Sequence, residues 1–173
     1  MPLSLYSASV PVFTAMLSNL RHLLDLADTF VAQKKIDPTV LTHYRLAPDM
    51  LPFTRQIQIA CDTAKNGAAR LAGIEMPRFE DTETTLVELK VRIQKTLDFL
   101  ATVTPAQLDG RDDLDVAWPV GPEKTMTLSA QQALCRMALP NFFFHVSMAY
   151  AILRHNGVEL GKRDFLAGAA ARA

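Results

Sequence analysis

Asn141 and His145 stand four residues apart in the stretch 129–157, SAQQALCRMALPNFFFHVSMAYAILRHNG. Residues spaced by three and four share one face of a helix, and Met137, Asn141, His145, Ala149 and Ile152 or Leu153 make such a row. An amide and an imidazole one turn apart in an apolar stripe are the groups of this chain best suited to chemistry. The residues alone leave three roles open for His145. It is a core histidine hydrogen-bonded to Asn141 or a nearby carbonyl, a metal ligand, or a catalytic acid–base group, since imidazole titrates near neutrality. Asn141 reads as a ligand contact or as a device that satisfies the backbone freed by Pro140.

The helix that presents this pair has legible ends. Ser129-Ala130-Gln131-Gln132 has the form of a capping box. Gly157 supplies the left-handed residue of a helix terminus, with Val158 to pack back. Pro140 predicts a kink near Met137, because a proline inside a helix removes one hydrogen bond and crowds the preceding turn. The consecutive Phe142, Phe143 and Phe144 must point around much of the helix, so they serve the core, a dimer face, or both.

Three more long helices are expected. The first spans about 9–33, with Ser9 as its cap, Pro11 in the first turn, and a stripe of Val12, Met16, Leu20, Leu23, Leu24, Ala27, Phe30 and Val31. The second spans about 51–71 and stops at Gly73; its stripe of Phe53, Ile57, Ala60, Ala64, Ala68 and Leu71 is rich in small residues that admit a close neighbour. Gln56 lies near its start and points inward or outward. The third begins between 81 and 84 and runs to about 101, with Glu83, Glu88, Lys90, Arg92 and Lys95 solvated and Glu88 paired to Arg92 one turn on.

The connection 35–52 is long for a bundle and carries one short helical turn after Asp37-Pro38. Residues 104–107 form another capped turn. Alternation from 114 to 128 around Gly121-Pro122 predicts a β-hairpin before the last helix, with Trp118 as a lid or a packing residue over the bundle end. The tail 160–173 has Phe165 as its one large anchor.

Composition narrows the classes. The 173 residues suit one domain, 1–173. With 49% hydrophobic and 21% charged residues the chain is not of the disordered type. Eighteen basic and eighteen acidic residues cancel, leaving no basic field for nucleic acid or an anionic membrane. Cys61 and Cys135 lack neighbours at ligand spacing and read as inert buried thiols. The apolar start precedes the first basic residue, Arg21, so it reads as mature structure. No apolar run reaches the roughly 18 residues of a membrane span. A cytoplasmic protein is the expectation.

The phrase HVSMAYAILRHNGVELGK resembles the last helix of the DinB/YfiT-like bundle superfamily, in which a histidine pair is followed by an apolar-Leu-Arg and a closing Gly. Ile152-Leu153-Arg154 and Gly157 stand at that ending, which places His145 on the second histidine of the pair. Together, LPNFFFHVSMAYAILRHNGVELGK and LAPDMLPFTRQIQIACDTAK resemble a bacterial branch of domains of unknown function in that superfamily, over nearly the whole chain. The resemblance implies an all-α, up-down four-helix bundle. It also implies a divalent metal of the zinc or nickel type, held by one histidine of the second helix and two of the last, spaced by four.

Here His145 fits, position 141 is Asn, and Gln56 aligns with the third ligand. Neutral amides are poor ligands for such ions. Some members of the superfamily are metal-dependent hydrolases or thiol-dependent transferases. Two functions are compatible with these residues. One is a degenerate enzyme of that kind, or a small-molecule binder, with a pocket lined by Gln56, Asn141 and His145. The other is a non-catalytic homodimer in which these residues only satisfy one another.

Overall fold

The computed structural model describes residues 3–172. Met1, Pro2 and Ala173, the outermost residues of the expected domain 1–173, lie outside the described residues. In chain order the elements are α1 (Val10–Lys34), the short α2 (Thr39–His43), α3 (Phe53–Ala72), α4 (Leu86–Leu100) and the one-turn α5 (Pro105–Leu108). Strands β1 (Asp115–Gly121) and β2 (Lys124–Ser129) follow, then α6 (Ala130–Ala133), a π-helical stretch Leu134–Ala138, α7 (Leu139–His155), α8 (Lys162–Ala167) and a 3-10 turn Gly168–Arg172. The expected helical bundle with one antiparallel hairpin is what forms. No helix of the described residues is long and apolar enough to cross a membrane.

Local chemistry sets most boundaries. Gly73 ends α3 at φ 68°, and Ile74 N–H reaches back to Ala69 O at 3.0 Å. Gly157 ends α7 the same way, with Val158 N–H donating to Leu153 O at 3.1 Å. Thr85 and Glu88 cap α4 reciprocally, which occupies the Glu88 carboxylate expected to pair with Arg92. Ser9 departs from expectation. Its hydroxyl donates to Leu5 O at 2.6 Å instead of accepting from α1. The predicted kink at Met137 is a π-helical widening directly before Pro140, which has no N–H to give the preceding turn.

α3 shares one face with α7 and another with α4, while α1 packs on α4 and more lightly on α7. The helices α1 and α3 meet only lightly, where Phe13 approaches Gly67, and these two occupy opposite corners of the bundle. That arrangement explains the length of the connection 35–52, which must cross one end of the bundle. The small residues of α3 allow the approach of the last helix: a Cβ at Gly67 would lie 3.4 Å from Ala138 Cβ. Trp118 of β1 packs half-buried over this region, its ring 5.9 Å from the Arg70 guanidinium.

The α3–α4 seam carries a buried ionic belt that the sequence pattern conceals. Arg92, expected to be solvated, is 1% exposed. Its guanidinium donates to Asp62 (2.8 Å), Glu83 (3.0 Å) and the carbonyl of Glu80 (3.0 Å), and meets Asp81 at 2.9 Å. Lys65, also buried, donates to Pro77 O and Asn66 (2.9 Å each) and lies 3.2 Å from Asp62. Both cations lie over the Phe79 ring. The segment 74–84 has no helix or strand, and these contacts hold it against the two helices.

Of the two thiols, Cys61 is buried and its pKa is pushed up to about 12 by that burial. Cys135, expected to be buried, is exposed on the π-helical stretch. In the tail, Phe165 of α8 packs edge-on to Tyr150 at 5.7 Å, and Asn19 of α1 donates to its carbonyl at 3.0 Å. The tail therefore wraps over the bundle.

Candidate functional site

The α3–α7 interface brings His145 and Gln56 into direct contact. His145 is 7% exposed, and its Nδ1 lies 2.8 Å from Gln56 Oε1. Asn141 is not part of this pair. It is exposed, and its Nδ2 donates to Thr63 Oγ1 at 2.7 Å. The two contacts join rising positions on α3 to falling positions on α7, so the helices run antiparallel. Sequence spacing placed Asn141 and His145 on one inward stripe. Each step of four residues overshoots a full turn by about 40°, however, and this row drifts from surface to core along its length.

Hydrogen-bond logic fixes the imidazole. Gln56 Nε2 donates to the Leu51 carbonyl at 2.9 Å, and a carbonyl only accepts. The amide must therefore turn Oε1 toward His145, and Nδ1 must be the protonated nitrogen that donates to it. Nε2 is left with a bare lone pair. Among the described residues it has no hydrogen-bond partner, and it is not sealed from solvent. The Phe144 ring stands edge-on beside the imidazole at 5.2 Å and is exposed. Leu51 belongs to the long connection, so that segment sets the tautomer of a residue on α7.

Burial, aided by the charge of Arg55, lowers the His145 pKa to about 4. At neutral pH the ring is uncharged and a weak base, far from the pKa that suits general acid–base work there. The unfolded chain takes up this proton near pH 6.5 and the folded chain near 4, so stability falls as the pH drops through that window. The whole span amounts to about 3 kcal/mol. Urea unfolding followed from pH 7 to 4 should show that loss in the wild type, and a clearly shallower one in His145→Gln.

A zinc- or nickel-type ion does not fit these donors. One imidazole is present, the Gln56 amide is engaged at both ends, and Asn141 turns its NH2 to Thr63. No cluster of three His, Cys, Asp or Glu able to hold a metal occurs among the described residues. The other histidines lie apart. His43 bonds Thr39 O within α2, His155 stacks near Tyr44, and His22 faces Asp164 at 3.7 Å.

Two surface hollows lie elsewhere. One of about 560 Å³ is lined by Lys65, Arg70 and the segment 74–79, and one of about 290 Å³ by Leu26, Phe30 and Gly157. Thr63 and the Leu51 carbonyl were not among the sequence candidates. Thr63 lies seven residues after Gln56, two turns along α3, which is the signal that would have found it.

The family described as "Domain of unknown function (DUF1993)" matches residues 5–166. A crystal structure of a DinB family member protein from Shewanella denitrificans matches with a TM-score of 0.86. It is 43% identical over 94% of this chain and 91% of that one. No curated protein matches.

Proposed function

The chain belongs to the DUF1993 family and has a DinB-like fold, and we propose that it is a metal-independent, small-molecule-binding member in which neutral His145 offers its Nε2 to a hydrogen-bond donor on the ligand. The observation that carries this reading is the Leu51–Gln56–His145 relay. It commits Nδ1 as a donor inside the protein and leaves the lone pair of Nε2 without a partner among the described residues. The exposed Phe144 ring beside the imidazole favours a ligand with an apolar or aromatic body and a protic group.

Long-range nitrogen NMR at pH 7 should find Nδ1 protonated and Nε2 bare. Titration with phenol should then shift the Nε2 resonance saturably at millimolar concentration, on the order of 4 kcal/mol of binding. Anisole, which has no donor, should not produce the shift, and His145→Ala should abolish it. An Nε2-protonated ring, or equal responses to phenol and anisole, would remove the reading.

A second reading is favoured by one observation. The pairs Gln56–His145 and Asn141–Thr63 already satisfy one another, and Phe144, 52% exposed, is available to a second copy. Under that non-catalytic homodimer reading, His145→Ala changes stability alone and phenol produces no saturable shift.

A further inference from the structure

We infer that Gln56 and Asn141 are the residues that keep a divalent cation off His145: the engaged amides at these positions do not fit the three-histidine centre that the superfamily resemblance implies. The inference shares the metal-independent reading of His145 given above, and it is tested without reference to any small-molecule ligand.

Position 56 faces His145 directly across the interface, its side-chain end 2.8 Å from the ring nitrogen. Histidine and glutamine place their terminal atoms at similar reach from the backbone. Two imidazole nitrogens on one tetrahedral ion stand about 3.4 Å apart, so the rings must part slightly from the present 2.8 Å contact to seat it. Position 141 is one turn before His145 on the same helix. Two histidines at i and i+4 are the spacing at which neighbouring side chains converge on one ion. Asn141 is exposed, and its side chain is held by the hydrogen bond to Thr63.

The Leu51 carbonyl, which accepts from Gln56 Nε2, is positioned to accept an N–H from the ring of a histidine at 56, the usual orienting partner of a metal-bound imidazole. In the present chain the same carbonyl works against a metal. It holds the Gln56 NH2, turns the amide oxygen to Nδ1 and leaves His145 alone as a ligand.

The experiment is Co(II) titration of untagged wild type, the double variant Gln56→His/Asn141→His, and that double variant with His145→Ala added. Visible d–d absorption and bound metal per chain are the readouts. The double variant should take up one Co(II) per chain at least about 100-fold more tightly than the wild type, and loss of His145 should remove at least about tenfold of that gain. Two results overturn the inference. One is wild-type Co(II) binding through His145 as tight as that of the double variant; the other is a folded double variant with no gain. Should the double variant fail to fold, Asn141→His alone decides, because position 141 is exposed. It should bind Co(II) between the two limits and lose that binding with His145→Ala, and no gain overturns the inference. The phenol titration reads the wild type only, so its failure leaves this result intact, and the reverse.

Discussion

Arg92→Ala should lower the stability of the fold by about 3–5 kcal/mol, read as a fall in the urea midpoint at pH 7. The guanidinium is 1% exposed and donates to Asp62, Glu83 and the carbonyl of Glu80. Truncation leaves Glu83, whose side chain is 13% exposed, without its cation, and leaves the Glu80 carbonyl without this donor. The segment 74–84 loses the fork that ties it to α3 and α4, so limited proteolysis should shift into it. Arg92→Lys should be intermediate, because an ammonium cannot serve Asp62 and Glu83 with the geometry of a planar fork.

The belt also has its own pH signature. Partial burial works against ionising Asp81, but the hydrogen bond from Arg55 and the charges of Arg92 and Arg55 outweigh it and hold the pKa below the usual carboxylate value. The Asp81 contribution is therefore complete above pH 3.8 and fades as the pH falls further. That window lies below the one set by His145, and the two are separable in one titration.

Phe142→Ala should cost about 3–5 kcal/mol, while Phe144→Ala should stay within about 0.5 kcal/mol. Phe142 is fully buried and meets Phe13 of α1 edge-on at 4.9 Å, the contact through which α7 closes the bundle on its α1 side. Truncating it removes the ring from water-free packing and leaves a cavity beside the turn that carries His145. Phe144 is 52% exposed and touches the imidazole only at its edge. Calorimetric melting of both variants makes the comparison. Similar losses at the two positions would mean that the core is not organised around the Phe13–Phe142 contact.

What the sequence determined by itself is what depends on near neighbours along the chain. Helix ends at Gly73 and Gly157, the turn after Thr104, the hairpin around Gly121 and the distortion before Pro140 all follow from interactions within about one turn, and all were legible. The choice of His145 rested on the same local periodicity. What the tertiary structure alone decided involves partners far apart in sequence.

Whether Gln56 points inward was settled by an imidazole 89 residues away, and Asn141 found its hydroxyl partner 78 residues away. Arg92 reads as a solvated helix charge because its pattern carries no sign of Asp62, 30 residues earlier, or of an extended segment folded over it. Burial of a charge depends on whether opposite charges and carbonyls arrive to replace water. That arrival is set by the diagonal placement of α1 and α3 and by the path of 74–84, neither of which the periodicity of a single helix can record.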